Sequence, residues 1–344
     1  MAQVYFLIPG LIAGPRARSA LSDASIARIR KMFGRLSDDP VMQPLGTPAS
    51  AECVHLSWLW SVLTRRPLPF AGAAYTWAVE NGPMLSGDIW SFELCRKSEN
   101  GTLERVSLAK DALEAACAAL TPVLASAGFV LQRWDPSLYL TRKSALDAFA
   151  APFDTVRAKP VSDTHIEGKE RGILTGLIAS CEQALANIEL SDLTVWLSLG
   201  GGAFDYVYPP TKIRSVLSDS ALVRGWALAA GILLQRIAPL TGSTDWPADA
   251  PQGARIAVLD DLWEPWMKEN WAAWEAALEG VCGRVESLSA AARKRGCDEA
   301  LVVGTGESIA VTLSRRLASH ASLFARFSGK EIDPRAVLFL ENTP

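Results

Sequence analysis

Histidine is scarce in this sequence, and charges of one sign do not accumulate in long blocks. The three histidines, His55, His165 and His320, form neither a His-x-His nor a His-Glu-x-x-His pattern. A zinc site built on paired histidines is therefore not expected. The formal net charge is only −3, and basic runs are short, as at Arg65-Arg66 and Arg315-Arg316. This balance lacks the electrostatic signature of a nucleic-acid-binding protein.

The sequence also lacks paired cysteines and long apolar runs. None of its six cysteines belongs to a Cys-x-x-Cys pair, which predicts free thiols and a cytoplasmic protein. They are Cys53, Cys95, Cys117, Cys181, Cys282 and Cys297. The apolar run 4–8 stops at Pro9-Gly10 and has no positive charge before it, so it predicts a buried strand and not an export signal. No segment approaches the ~20 apolar residues that span a bilayer, so no membrane association is expected.

The order of apolar patterns predicts an α/β fold with two lobes, in which mixed sheets are covered by helices. A chain of 344 residues exceeds the ~150 residues of a typical domain. Residues 150–168 are rich in Pro, Asp and Thr and show little periodicity, which is typical of a connector. We therefore predict an N-terminal lobe over 1–155, a C-terminal lobe over 156–330 and a tail over 331–344.

Several elements have clear local signals. Ser22 precedes apolar residues at helical spacing, which predicts a capped helix. Asn100-Gly101 separates two strand-like runs and predicts a tight hairpin. Residues 264–294 predict one long helical region. Near its start Trp263, Trp266, Trp271 and Trp274 share a face, which favours a core stripe over an exposed partner surface.

A predicted strand at 195–199 runs into the three glycines Gly200, Gly201 and Gly202. Backbone amides without side chains can approach an anion closely, so these glycines are candidate ligands for a small anion, with Arg224 as a further positive partner. A simple turn also explains the glycines and is the favoured interpretation. A second motif, Gly304-Thr305-Gly306, has no third glycine and no following helix, so a hairpin turn is the better interpretation.

Asp260 and Asp261 follow a predicted strand at 254–259. Paired carboxylates at a strand end can hold a magnesium ion, because open α/β sheets place ligands there. Asp is also a preferred helix N-cap, and the residues from Trp263 onward have a helical pattern. The cap is favoured, and the metal site is kept as the alternative.

Several segments, taken in order, resemble bacterial regulatory proteins of the RpfE type, which are similar to archaeal-type cofactor-independent phosphoglycerate mutases. The segments are Leu7-Ile8-Pro9-Gly10-Leu11 and those at 133–140, 195–202, 222–227 and 258–262. The resemblance implies a non-catalytic cytoplasmic regulatory or ligand-binding protein without a cofactor. Its partner would be a small anionic ligand or another protein. The alternative is a metal-dependent phosphotransferase similar to phosphoglycerate mutase.

The sequence departs from that family at positions which bear on catalysis. Where the family carries an Asp-Pro-Val-His-Leu stretch, this chain has Ser91-Phe92-Glu93-Leu94-Cys95, and Leu199 stands where a tryptophan is expected. A two-metal phosphoryl-transfer site needs several Asp and His ligands to neutralise the charge in transfer. Three dispersed histidines supply few of them, so no catalytic residue is predicted.

Overall fold

The computed structural model describes residues 2–45, 54–65, 72–134, 137–158, 160–162, 165–207, 212–247, 253–317 and 329–340. The chain divides into two compact units. One unit combines Met1–Leu68 with Tyr206–Pro344, and we call it the discontinuous unit. The other is Pro69–Asp205, which we call the inserted unit. Each unit is described by itself.

This division differs from the predicted lobes 1–155 and 156–330. The segment after 155 stays in the inserted unit because its strand Leu193–Ser198 pairs with the strand Asp88–Lys97 over six residue pairs. After Asp205 the chain returns to the sheet that contains the first strand. The predicted boundary therefore lies inside a unit, and the segment near 150–168, which contains the helix Phe153–Ala158 and the strand Ile166–Glu167, belongs to it.

A seven-stranded mixed sheet forms the centre of the discontinuous unit. Its strands are β1 (Gln3–Pro9), β2 (Val41–Pro44), β10 (Ile213–Leu217), β11 (Ile237–Ala238), β12 (Ala254–Val258), β13 (Glu299–Thr305) and β14 (Ile309–Arg316). Their order in the sheet is β11-β10-β12-β1-β13-β14-β2. Strands β11, β10, β12, β1 and β13 are parallel, whereas β14 is antiparallel to both β13 and β2. The predicted α/β class with mixed sheets is confirmed, and Gly304-Thr305-Gly306 lies at the β13–β14 hairpin as expected.

Helices cover both faces of this sheet. They are α1 (Asp23–Phe33), α2 (Val54–Thr64), α7 (Ala221–Ala229), α8 (Trp263–Met267), α9 (Trp271–Lys294) and α10 (Pro334–Leu338). Side chains of a strand alternate between faces. Val4 and Phe6 of β1 therefore join the core formed with α1 and α9, whereas Tyr5 points to α2, where its ring lies 6.3 Å from that of Trp58. The predicted cap of α1 is confirmed, since the Ser22 hydroxyl accepts from the amide of Ser25.

The long helix predicted over 264–294 is two helices, α8 and α9. Glu269 has a positive φ of 49°, which an α-helix does not accommodate. Asn270 then caps α9, because its side-chain oxygen accepts from the amide of Ala273 at 3.1 Å. The break separates Trp263 and Trp266 on α8 from Trp271 and Trp274 on α9.

The inserted unit contains an antiparallel sheet around a central strand, β3 (Asp88–Lys97). Strand β9 (Leu193–Ser198) pairs with one edge of β3; β4 (Leu103–Arg105) and β6 (Ser137–Arg142) pair with the other, and β5 (Val130–Trp134) pairs with β6. A short pair, β7 (Phe149–Ala150) with β8 (Ile166–Glu167), lies apart. The helices are α3 (Gly72–Asn81), α4 (Lys110–Ser126), α5 (Phe153–Ala158) and α6 (Arg171–Ala186). The hairpin predicted at Asn100-Gly101 is confirmed, with Gly101 at a φ of 80°.

Two further predictions concern the chain as a whole. Cys95, Cys117, Cys181, Cys282 and Cys297 are free cysteines, and Cys53 lies outside the described residues. Among the helices that the structure describes, none combines the length and the apolar character needed to cross a membrane. The sequence also predicts a terminal helix through Phe327, and that segment lies outside the described residues.

Candidate functional site

The carboxyl ends of the parallel strands are the candidate position of a functional site, because open α/β sheets bind ligands there. In the discontinuous unit these ends lead into the loops Gly10–Ile12 after β1, Ser218–Ser220 after β10 and Asp260–Leu262 after β12. We call this region the carboxyl edge. Two of the candidates predicted from the sequence, Asp260 and Asp261, lie in the last of these loops. A third, Arg224, lies in α7, which follows the loop after β10.

Indole rings close the loop after β1. Gly10 has a φ of 74°, and a Cβ placed on it would lie 2.8 Å from the Cβ of Trp266, so no larger residue fits. The Nε1 of Trp266 donates to the carbonyl of Ile12, and the Nε1 of Trp274 donates to the carbonyl of Gly10, each at 2.9 Å. Indole N–H groups therefore occupy both of these carbonyls of the loop after β1. Side chains of the protein itself fill the space at the end of this strand, where an open α/β sheet would bind a ligand.

The aromatic cluster continues from Trp266 to Trp263 and His55. The two indoles stack with ring centroids 5.1 Å apart, and the imidazole of His55 meets Trp263 edge-on at 4.5 Å. Trp274 is fully buried, whereas Trp263 and Trp266 are half-buried. The core interpretation of the tryptophan stripe therefore fits Trp274 best, and Trp263 and Trp266 form an aromatic wall at the carboxyl edge.

His55 is held in its neutral form. Burial lowers the pKa of its imidazole to about 3, because the charged form loses hydration. Its Nδ1 is buried and has no hydrogen-bond partner among the residues that the structure describes. Sequence reasoning did not select His55 as a site residue, since an isolated histidine carries no motif.

We expect the burial of His55 to make stability depend on pH. The folded-state pKa of about 3 lies below the ordinary 6.5, so the unfolded chain takes up a proton first as the pH falls. Stability from this source is complete above pH 6.5 and is lost towards pH 3, by about 2 kcal/mol between pH 7 and pH 5. Urea unfolding at both pH values should show that loss in the native protein and a smaller one in His55→Phe. Equal losses in both proteins would contradict this assignment.

The two acidic candidates have partners inside the protein. The carboxylate of Asp261 forms an ion pair with Arg284 of α9. The N-cap of α8 is Leu262, with no side-chain cap, so neither aspartate is the predicted cap. The predicted cap is wrong because α8 begins one residue later than that role requires. In the described part of the chain, no group of three or more His, Cys, Asp or Glu side chains is arranged to hold a metal ion.

Arg224 closes the turn between β10 and α7. Its Nη1 donates to the carbonyls of Ser218 and Asp219, both at 2.8 Å. The carboxylate of Asp219 accepts from the amide and the hydroxyl of Thr241, again at 2.8 Å. Arg224 therefore stabilises a loop of the discontinuous unit, whereas the three glycines belong to the inserted unit. The structure gives the two candidates separate roles.

The glycine amides do bind an anion, but that anion is a side chain of the protein. The amides of Gly201 and Gly202 donate to Oδ1 of Asp88, at 2.9 and 2.7 Å. Oδ2 accepts from the indole Nε1 of Trp90 at 2.8 Å and from the amide of Leu146 at 3.1 Å. Asp88 is fully buried. An external anion at these amides would have to displace it, which corrects the prediction of an open anion pocket at Gly200–Gly202.

Gly200 and Gly201 differ in what a side chain would meet. A Cβ on Gly200 would overlap the ring of buried Trp90, whereas a Cβ on Gly201 has open space but a φ of 107°. We expect Gly200→Ala to cost about 1–3 kcal/mol from overpacking, and Gly201→Ala to cost about 1 kcal/mol from backbone strain. Urea unfolding of both variants checks this order. A Gly200→Ala protein as stable as Gly201→Ala would show that Trp90 does not fix the turn.

The architecture defined by these features is a two-unit α/β protein whose carboxyl edge is packed with indoles. No protein-family model matches the chain, and no curated protein matches it. Among solved structures it is similar to the cofactor-independent phosphoglycerate mutase from Thermoplasma acidophilum, with 10% identity and a TM-score of 0.40 over 98% of each chain. It is also similar to the PH0037 protein from Pyrococcus horikoshii, with 14% identity and a TM-score of 0.43 over 92% of this chain and 87% of that one. The likeness is distant and concerns the fold.

Proposed function

We propose that this chain is a non-catalytic, cytoplasmic regulatory or ligand-binding protein of the RpfE type. The observation that carries the proposal is the packing of the carboxyl edge. Trp266 and Trp274 bind the backbone carbonyls of the loop after β1. Enzymes of open α/β architecture need polar groups free to reach a substrate at such strand ends. Here the space is used to bury aromatic rings.

The state of the ionisable groups supports the same function. A general base or a metal ligand needs a side chain that can reach the reacting group or the ion. His55 is buried against Trp263, and the carboxylate of Asp261 is paired with Arg284. Both groups are engaged by neighbours within the fold, as in a structural role.

A turnover assay tests the proposal against its alternative, a metal-dependent phosphotransferase. Purified protein is incubated with 3-phosphoglycerate or a phosphomonoester, with Mn²⁺, Mg²⁺ or Zn²⁺ supplied in turn. We expect no metal-dependent turnover above the protein-free control. Turnover that Asp260→Ala and Asp261→Ala abolish, while Asp219→Ala retains it, would establish the phosphotransferase and overturn the proposal.

The cytoplasmic part of the proposal rests on the free cysteines, which are rare in oxidising compartments when so many occur in one chain. Burial raises the pKa of the Cys181 thiol to about 12 and that of Cys282 to about 11, which makes both slow to oxidise. We expect a thiol titration of the denatured, unreduced protein to recover the full six thiols of the sequence. Recovery of four or fewer would indicate a disulfide and contradict this location.

A further inference from the structure

A cavity of about 270 Å³ lies between helices α1 and α9 in the discontinuous unit. It is lined by Arg28, Lys31, Met32, Glu279, Cys282, Gly283, Val285, Glu286 and Arg315. We call it the α1–α9 cavity. Its volume is close to the lower limit of small-molecule sites in proteins, which suits a compact metabolite. The residues that line it come from α1, α9 and the end of β14, not from the carboxyl edge described above.

Arg315 of β14 brings a largely buried cation to this cavity. Its Nη1 donates to the carbonyl of Met32 at 2.9 Å and its Nη2 to the hydroxyl of Ser289 at 2.8 Å. Both partners are neutral, and the buried Nε has no partner among the described residues. Burial also lowers the pKa of the guanidinium. The carboxylate of Glu286 acts on the guanidinium electrostatically, but it is paired with Lys31. A bound anion would therefore give the desolvated charge a direct partner.

The other cations of the cavity are held loosely. Arg28 pairs with Glu279 at 3.3 Å, and Lys31 pairs with Glu286 at 3.1 Å. All four side chains are largely exposed, so each pair contributes little to stability and can open at small cost. With Arg315 included, the cations that line the cavity exceed its carboxylates by one.

We propose that the α1–α9 cavity binds a small oxyanion, a carboxylate or a phosphate group, through Arg315 with Arg28 and Lys31 at its rim. Met32, Cys282 and Val285 supply an apolar wall beside these cations, which would accommodate a short carbon chain attached to the anion. The site rests on the ligand-binding part of the proposed function and names the chemistry of its ligand. It does not depend on whether the carboxyl edge is catalytic.

Calorimetric titration of the full-length protein tests the site, with inorganic phosphate as one probe and butyrate as the other. We expect saturable binding of at least one probe in the millimolar range or tighter. Arg315→Met should weaken that binding at least tenfold, because a charge-assisted contact to an anion is lost. The matched control is Arg316→Met, since Arg316 is exposed and its side chain points to the opposite face of β14. Arg316→Met should bind as the native protein does.

Two further measurements keep the proposal testable if Arg315→Met does not fold. Lys31→Met and Arg28→Met change only exposed side chains, so they should fold normally and weaken binding several-fold. Phosphate or butyrate should also slow the alkylation of Cys282 by iodoacetamide, which peptide mass mapping measures. Cys117 in the inserted unit should react at an unchanged rate.

The proposal fails if neither probe binds at 20 mM. It fails equally if binding is unaffected by all three substitutions. Absence of binding with absence of turnover would remove this site and leave the non-catalytic assignment standing.

Discussion

Asp88→Ala should destabilise the protein by about 3–5 kcal/mol, because it removes a fully buried carboxylate that accepts from four N–H groups. The carboxylate joins the amides of Gly201 and Gly202 to the indole of Trp90 and the amide of Leu146. Alanine would leave the buried N–H groups of Trp90 and Leu146 without this acceptor, and it would also remove the acceptor of the part-buried amides of Gly201 and Gly202. Urea unfolding, monitored by tryptophan fluorescence, measures the loss in the free energy of unfolding.

Two variants separate this effect from a general loss of charge. Asp88→Asn keeps the shape but directs an amide NH₂ at one pair of donors, so we expect it to cost less than Asp88→Ala and more than about 1 kcal/mol. Asp192→Ala removes another aspartate of the inserted unit, whose exposed ion pair with Arg96 should contribute less than about 1 kcal/mol. If Asp88→Ala and Asp192→Ala were equally stable, Asp88 would not organise the glycine turn.

Trp274→Ala should be the most destabilising change at the carboxyl edge, by about 3–5 kcal/mol. The indole is fully buried in the core between the sheet and α9, and its Nε1 binds the carbonyl of Gly10. The substitution therefore creates a large cavity and leaves a carbonyl without its donor. Thermal and urea unfolding both report the loss.

Two other substitutions divide that effect into its parts. Trp274→Phe retains most of the ring and removes the N–H group, so it should reveal the hydrogen bond at about 1 kcal/mol together with a modest packing loss. Trp271→Ala, at the half-buried start of α9, should cost clearly less than Trp274→Ala. A Trp271→Ala variant that is less stable than Trp274→Ala would contradict the packing described for the carboxyl edge.

Local signals were sufficient to predict much of the secondary structure. The Ser22 cap and the Asn100-Gly101 hairpin each depend on residues close together in sequence, and both are confirmed. The break at Glu269 and Asn270 was missed because the apolar spacing continues across it. A positive φ at a non-glycine residue leaves no pattern in the sequence that periodicity can detect.

The candidate site was harder to predict because its contacts join distant parts of the chain. Three glycines after a strand indicate amides that can bind an anion, and in the structure the amides of Gly201 and Gly202 donate to the carboxylate of Asp88. The anion, Asp88, lies 113 residues earlier than Gly201, and it could not be identified before the pairing of β3 with β9 was known. The same pairing explains why the inserted unit extends past the predicted lobe boundary.

Calorimetric titration with Mn²⁺ tests most directly whether the carboxyl edge is a packed, non-catalytic surface. Mn²⁺ prefers oxygen ligands, so thiols do not obscure the result. We predict no saturable binding at micromolar concentrations, and identical traces for the native protein and the Asp260→Ala/Asp261→Ala double variant. Micromolar Mn²⁺ binding that the double variant loses would contradict the account, because it would place a metal centre at the strand end where the structure packs indoles.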